Sequence, residues 1–487
     1  MTSKSLFFKL QKEDLKRRMW VGALAMLVFF LSGPVLLALI LEGYDGRQTI
    51  FDVTQVTGII GPGSFIQYLI TFAGALICAC SGYFFLHSRK KVDLYHSIPV
   101  RREILFFVNY ANGLLLYFLP YLISMLLNFL VLFADGHLNS HTALAGLQAI
   151  GINTLYFLLL YTLTILAIMF TGNGIISMLG AGVFFVYGPL VNTIKYMYCS
   201  EFFKNFFSRN GESRLLTFLS PIGKYVSRSQ SVSRGNYDSL GLSLLVTLAV
   251  IILILVLTVY VYKRRPSEAA GKSIAFEWIK PVIKILIVVP ITLGGGLIFS
   301  SVGNDHPDDW MIFGLVLVFL IISALIEIIY QFDLKKAFAH KKSLVVSAVV
   351  IVIVVCFFRF DFISYDSYLP AKNKIASMSI KVPGLDSQNN LRVINEDQTD
   401  FNYLSTFDYE NKYMRLKNFD AAYEIAKRGR EESKKSNRSD AGQSDYNNGC
   451  TVSFHLKNGK TVYRNYYSFP DEDYSLLNEL YSSSEYK

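Results

Sequence analysis

The residues with chemistry to offer are few, and they lie in short polar runs between long apolar ones. The densest run is Lys90-Lys91-Val92-Asp93-Leu94-Tyr95-His96-Ser97-Ile98-Pro99-Val100-Arg101-Arg102-Glu103. Asp93 is placed to cap a short helix whose apolar members, Leu94 and Ile98, face lipid if the flanking runs cross a bilayer. Pro99 can end that piece and open the next helix, because the amide it lacks would be unpaired there anyway. Basic residues on both sides would hold the element at a membrane surface. A short rigid piece pinned at two ends can transmit a push from a partner, although the same spacing also suits a plain surface loop. His96 has no metal-spaced or nucleophilic companions, so it reads as an interface or loop residue and not as a catalyst.

Two further charges stand inside apolar runs: Lys284 and Glu327. Each lies about one helical turn from the end of its run, so the two fall at similar depth. Ions in that setting snorkel to the interface, pair with each other, or line a polar route. Spacing alone leaves all three open. Gly294-Gly295-Gly296 would permit close helix contact or a local break.

Catalytic signatures are absent from the sequence. There is no HExxH zinc motif, no GxSxG elbow and no metal-spaced Cys/His cluster. Gly271-Lys272-Ser273 resembles the end of a phosphate loop, but Pro266 stands where the first glycine is required and no strand precedes it. Of the five cysteines, Cys78, Cys80 and Cys356 sit in apolar runs as small hydrophobes. Cys199 and Cys450 could form one disulfide, without any spacing framework to require it. The expectation is a protein that is not an enzyme and carries no cofactor or metal.

The elements that must position these groups are nine apolar stretches at about 19–41, 64–86, 104–133, 147–170, 174–198, 240–262, 281–300, 311–330 and 343–360. A hydrocarbon core of about 30 Å needs around 20 apolar residues per helix, and each stretch meets that length or nearly so. A chain of 487 residues with 52% hydrophobic and only 17% charged residues is too apolar for a soluble protein of this size. The net charge of +10 could suggest nucleic acid, but residues 361–487 carry 17 Lys/Arg against 19 Asp/Glu. The excess therefore sits beside the apolar runs, where anionic headgroups attract it, and nucleic acid is excluded as a partner.

Basic residues also set an orientation. Segments 1–18, 87–103, 263–280 and 331–342 hold 20 Lys/Arg, whereas the alternate connections hold 7. The positive-inside rule then places the N-terminus in the cytoplasm of a multi-pass plasma-membrane protein, and nine crossings place residues 361–487 outside. The connection at 199–239, basic yet nominally external, is the one dissent. Ahead of the first run, Leu6, Phe7, Leu10 and Leu15 alternate with lysines as in an interfacial amphipathic helix. The first run is too long, and lacks a small-residue site, to be a cleaved signal.

Past Phe360 the chain turns polar and tyrosine-rich. Ser377–Val382 alternates as a strand, and Val452–Leu456 and Thr461–Arg464 flank the hairpin signal Asn458-Gly459. Phe419–Lys435 reads as a helix weakened at Gly429, Asp471–Tyr481 as another, and Ser433–Gly449 as a loop. A small α+β domain follows from this pattern, its tyrosines packing a sheet or forming a peptide- or glycan-binding face.

The run DLYHSIPVRREILFFVNYANG resembles the segment after the second helix of bacterial type-2 ATP-binding-cassette permeases. The matching positions are Asp93, Tyr95, His96, Ser97, Pro99, Val100 and Arg102, then Asn109, Asn112 and Gly113; Ile98 stands where Leu is usual. The family's plan matches over about residues 1–262, with Gly172-Asn173 at the turn between spans four and five. Leu219-Ser220-Pro221 falls where such permeases often place a re-entrant hairpin. The resemblance implies a mostly α polytopic membrane protein. Its parts would be a cytoplasmic amphipathic helix (1–18), a six-span permease core (19–262), three added spans (263–360) and an extracytoplasmic α+β domain (361–487). It further implies an exporter subunit driven by a separate cytosolic ATPase, and pairing with a second permease copy or a related permease in the bilayer. Asp93, Leu94, Tyr95, His96, Ser97, Ile98, Pro99, Arg101 and Arg102 would receive the ATPase. Two competing classes remain: a non-transporting sensor or scaffold for extracellular peptides or antibiotics, and an integral membrane enzyme. The scarcity of carboxylates and histidines in the spans weighs against the enzyme.

Overall fold

The computed structural model describes residues 3–42, 49–207, 220–237, 239–303, 306–331, 333–336, 340–381, 390–394, 401–405, 411, 413–435, 450–466, 476 and 478–480. Among these the chain is mostly helical. In order come α1 (Ser3–Arg17), α2 (Met19–Glu42), α3 (Thr49–Ile60), α4 (Phe65–Tyr83), α5 (Arg89–His96), α6 (Arg102–Ala134) and α7 (Ser140–Phe170). Then follow α8 (Gly174–Phe202), α9 (Pro221–Ser233), α10 (Leu240–Arg264), α11 (Lys280–Val302), α12 (Pro307–Gln331), α13 (Lys341–Arg359) and α14 (Asp420–Lys435). Nine helices among the described residues are long and apolar enough to cross a membrane, and they fall on the nine apolar runs.

Local chemistry explains where these helices start and bend. Helix α7 opens on a capping box, with the Asn139 side chain accepting from the Thr142 amide and the Thr142 hydroxyl accepting from the Asn139 amide. Helix α9 opens on Ser220, whose hydroxyl accepts from the Gly223 amide, with Pro221 in the first turn. In α2, a turn of π-helix over Leu31–Val35 accommodates Pro34, which cannot donate to the ladder. The second apolar stretch begins earlier than the sequence suggested: α3 precedes a break at 61–64, and Ser64 then caps α4.

The chain divides into two compact units. The first comprises Met1–Asn192, Glu212–Thr292 and Leu315–Ser347. Its core is built from α2, α4, α6, α7 and α10, where Tyr83, Phe106, Tyr117, Phe157 and Tyr161 are fully buried. Two close approaches need glycine: a Cβ at Gly113 would lie 2.1 Å from the Tyr161 hydroxyl, and one at Gly82 would lie 2.4 Å from the Arg18 guanidinium.

The second unit comprises Thr193–Gly211, Leu293–Gly314 and Ala348–Lys487. Its polar part holds an antiparallel sheet of β1 (Ile375–Lys381), β4 (Cys450–Leu456) and β5 (Thr461–Tyr466) in the order β1-β4-β5. A separate two-stranded pair joins β2 (Asn390–Ile394) to β3 (Phe401–Ser405). The β4–β5 hairpin turns at Asn458-Gly459, with Gly459 at φ +78°. Met378, Ile380, Val452 and Phe454 of the sheet pack on Ile425 and Ala426 of α14. Gly429 has a packing role that the sequence does not display. It is a contact point within α14, since a Cβ there would lie 2.8 Å from the Tyr466 Cβ. Helix α14 runs on to Lys435, so the segment read as a loop begins later; residues 436–449 lie outside the described residues, as do most of Asp471–Tyr481 and Leu219. Cys199 and Cys450 do not form a disulfide with each other.

A polar knot ties residues 204–205 to the rest of this unit. The Asp366 carboxylate accepts from the Lys204 and Asn205 amides at 3.0 Å each, and the Asn205 side chain donates to the Asp366 carbonyl at 3.0 Å. Ser433 donates to Asn205 Oδ1 at 2.6 Å, while the Asn465 amide donates to the Asn205 carbonyl at 3.2 Å. Burial holds the Asp366 carboxyl above its ordinary range despite these donors.

His455 supplies a pH-dependent element of the sheet. Its Nε2 lies 2.9 Å from Ser379 Oγ and 3.0 Å from Arg415 Nη1, and its Nδ1 faces Thr461 Oγ1 at 3.1 Å. Burial, then the Arg415 charge, push its pKa down to about 4 from 6.5. The unfolded chain therefore binds the proton more readily. The stability held by neutral His455 is intact above pH 6.5 and is lost as pH falls toward 4. Amide exchange in the 450–466 hairpin, corrected for intrinsic rates, should accelerate across that window, and His455→Gln should diminish the acceleration. An unchanged profile in the variant would remove His455 from the account.

Candidate functional site

Helix α5 and its surroundings form a tightly bonded layer at one end of the first unit. Helix α5 begins at Arg89 with Ser88 at its N-cap, so Asp93 lies in mid-helix and does not cap it as the sequence suggested. Pro99 falls in the bend between helices, because α6 starts only at Arg102 with Arg101 as its N-cap. Val92 is buried, and the Tyr95 ring stacks on Phe85 at 4.2 Å while its hydroxyl accepts from Arg17 at 2.6 Å. Ser97 closes the helix by donating to the Leu94 carbonyl at 2.8 Å. Leu94, by contrast, is 64% exposed, and Asp93, Pro99, Arg101 and Arg102 are exposed beside it, with Ile98 half-buried. Helix α5 thus presents one outward apolar side chain on an immobilised frame.

That frame is held by buried cations. The Arg265 guanidinium donates to the Ile168 and Met169 carbonyls at 2.6 and 3.0 Å and to the Leu86 carbonyl at 3.1 Å. These are carbonyls at the C-terminal ends of two helical stretches, where a cation is favoured by the helix dipole. Burial lowers the Arg265 pKa to about 10, which leaves it charged at neutral pH. The following residues fold back on the α7–α8 turn. Gly271 donates to the Gly172 carbonyl at 2.8 Å and Ala275 to the Phe170 carbonyl at 2.8 Å. A Cβ on Gly172 would stand 1.9 Å from the Ala269 carbonyl oxygen, so glycine is required there. The Gly271-Lys272-Ser273 run is consumed by this pairing. Nearby, Arg89 Nε donates to the Ala270 carbonyl at 3.3 Å.

At the same end α1 is docked on α6. Buried Arg18 pairs with Asp14 at 2.7 Å and donates to the Asn109 carbonyl at 3.1 Å, while Asn112 donates to Asp14 Oδ2 at 2.7 Å. Asn112 and Gly113, part of the resemblance noted above, therefore have definite structural tasks in this chain, whereas Asn109 contributes its backbone carbonyl.

The interior of the first unit contains a polar chain that sequence reasoning missed. Thr71 Oγ1 lies 2.9 Å from the Tyr117 hydroxyl and 3.2 Å from that of Tyr225; Tyr225 donates to Asn153 Oδ1 at 2.6 Å, and Asn153 donates to the Tyr121 hydroxyl at 2.9 Å. It joins α4, α6, α7 and α9. A cavity of about 20 Å³ beside it is lined by Ser124, Asn128 and Asn153, and Asn128 Oδ1 has no hydrogen-bond partner among the described residues. The signal was present: Tyr117, Tyr121, Ser124 and Asn128 recur at helical spacing on one face of α6.

Lys284 and Glu327 are brought together. The ammonium lies 2.8 Å from Glu327 Oε2, and both residues are at most 1% exposed. His340, which the sequence reading did not single out, bonds the other carboxylate oxygen through Nδ1. One carboxylate thus links α11, α12 and the entry to α13. No His/Cys/Asp/Glu cluster among the described residues could hold a metal ion. No family model, curated protein or solved structure matches this chain.

A carboxylate with two partners in a poorly hydrated place should behave as one unit. Breaking a buried pair by removing one member costs roughly 3–5 kcal/mol, whereas replacing both by neutral groups costs much less. Glu327→Gln alone should therefore lower the thermal stability of the purified protein more than Lys284→Met combined with Glu327→Gln. Simple additivity of the single effects would show the residues to be energetically independent.

Proposed function

We propose that this chain is the membrane-spanning permease subunit of an ATP-binding-cassette exporter, driven by a separate cytosolic ATPase. The observation that carries the reading is α5: a short helix with exposed Leu94, braced through Tyr95, Val92 and Arg89 at an end of the bundle that is rich in Lys and Arg. A braced element can pass displacement into the bundle, which a loose loop would absorb. Nine apolar helices support a multi-pass plasma-membrane protein, and the basic asymmetry supports a cytoplasmic N-terminus with the sheet domain outside. The polar chain around Thr71, Tyr225 and Asn153 offers hydrogen-bonding groups inside an otherwise apolar bundle, as a translocation route requires. A second permease copy or a related permease would complete it.

A sensor built on the same architecture is the second reading. It is favoured by the Asp366 knot, which fixes the outer-domain residues Ser433 and Asn465 to the stretch just after α8, so that a ligand held by the sheet domain would act on that stretch.

Docking would place Leu94 in a contact that excludes water, so a carboxylate there should be strongly disfavoured. Leu94→Asp should weaken ATPase co-purification about tenfold or more, the scale of an interface hot spot. Tyr95→Phe, which keeps the stacked ring, should lower it little. Unchanged co-purification of Leu94→Asp would count against the permease reading. The topology is tested separately: in a cysteine-free background, Asn458→Cys should react with an impermeant thiol reagent on intact cells and Ser267→Cys should not. Equal protection of both sites would overturn the nine-span arrangement.

A further inference from the structure

Within the first unit, the segments 277–284, 327–330 and 340–343 of α11, α12 and α13 and the residues just before them line a groove of about 540 Å³, within the range of small-ligand sites. Its floor holds the Lys284–Glu327–His340 cluster and Tyr330, whose hydroxyl donates to the Lys280 carbonyl at 3.2 Å. Its rim holds Lys280, Lys341 and Lys342. The charges are not equivalent. Glu327 is committed to Lys284 and His340, and Glu277 to Lys280 at 2.9 Å. Lys341 and Lys342 are exposed and form no ion pair among the described residues. They also open α13, so their charges lie beside the unpaired amides of its first turn. His340 adds a third donor when protonated, because only Nδ1 is used by Glu327. The groove is therefore a cationic recess whose acids are already neutralised.

The surroundings suit a lipid. Trp278 is 69% exposed just before α11, and Val282, Leu286, Val345 and Val346 are exposed along α11 and α13. A phosphate at the groove would leave acyl chains beside apolar helix faces. Basic recesses between membrane helices on the cytoplasmic side take anionic headgroups in this way.

We propose that the groove between α11, α12 and α13 binds a phosphate group, supplied by an anionic phospholipid headgroup and held by Lys341 and Lys342 above the Lys284–Glu327–His340 floor. The inference rests on the membrane reading but not on the permease reading. A requirement for detergent during extraction tests the membrane reading independently.

The experiment is native mass spectrometry of the full chain in detergent, titrated with short-chain phosphatidylglycerol, short-chain phosphatidylcholine or inorganic phosphate. Phosphatidylglycerol should bind saturably and phosphatidylcholine should not. In Lys341→Gln with Lys342→Gln, binding should weaken about thirty-fold, the product of two surface lysines each acting near an anionic headgroup. Lys457→Gln with Lys460→Gln, which removes two exposed lysines beside the β4–β5 turn, should leave affinity unchanged, and neither pair should shift the lipid-free melting temperature. Competition by millimolar inorganic phosphate, lost in the 341/342 variant, would keep the phosphate site and assign it to a soluble anion, overturning the lipid source. Equal phosphatidylglycerol affinity in wild type and the 341/342 variant, or equal binding of phosphatidylcholine, would overturn the site itself.

Discussion

The guanidinium of Arg265 is withdrawn from water where the carbonyl ends of two helical stretches converge, and it meets three of those carbonyls at once. Such carbonyls have no partner within their own helices, and an unpaired buried carbonyl is costly. A buried cation without acceptors is costlier still. Each need answers the other, and the layer around α5 follows from that exchange. Residues 266–276 are drawn back onto the α7–α8 turn, which fixes why position 172 tolerates no side chain. Arg18 repeats the logic with Asp14 and the Asn109 carbonyl, so that α1 becomes part of the bundle.

The same constraint acts on Lys284 and Glu327 with a different result. Arg265 locks helix ends and Arg18 joins Asp14 to a carbonyl within α6, whereas Glu327 is shared by two side chains, one of them a histidine that is half exposed on its other side. The position of Glu327 in a cationic groove sets this cluster of side-chain charges apart from the interior around Thr71, which is stitched by neutral hydroxyls and amides.

Division of labour within α5 changes how its motif is read. Tyr95 looks like a contact residue in the sequence, because an aromatic ring between charges invites a partner. In the fold that ring is spent on Phe85 and Arg17, and the outward contact passes to Leu94. Substituting Tyr95 would therefore perturb the brace and leave the Leu94 side chain exposed. Gly429 carries a similar lesson in the sheet domain, where a residue that weakens an isolated helix is what lets that helix approach Tyr466.

The sequence by itself determined the nine apolar helices, their approximate ends, the hairpin at Asn458-Gly459 and the helix at 420–435. These follow from composition and periodicity along the chain, which act over one helical turn or one turn of hairpin. It also placed Lys284 and Glu327 each about one helical turn from the end of its apolar run, because hydropathy marks where a run ends. Their pairing, the third partner His340, the caps supplied by Arg265 and the chain through Thr71, Tyr225 and Asn153 were decided only by tertiary structure. Those contacts join residues between 13 and 179 positions apart, and hydropathy carries no record of which helix face meets which. Burial of a polar group fixes that it must be partnered; only the packing of the helices fixes by whom.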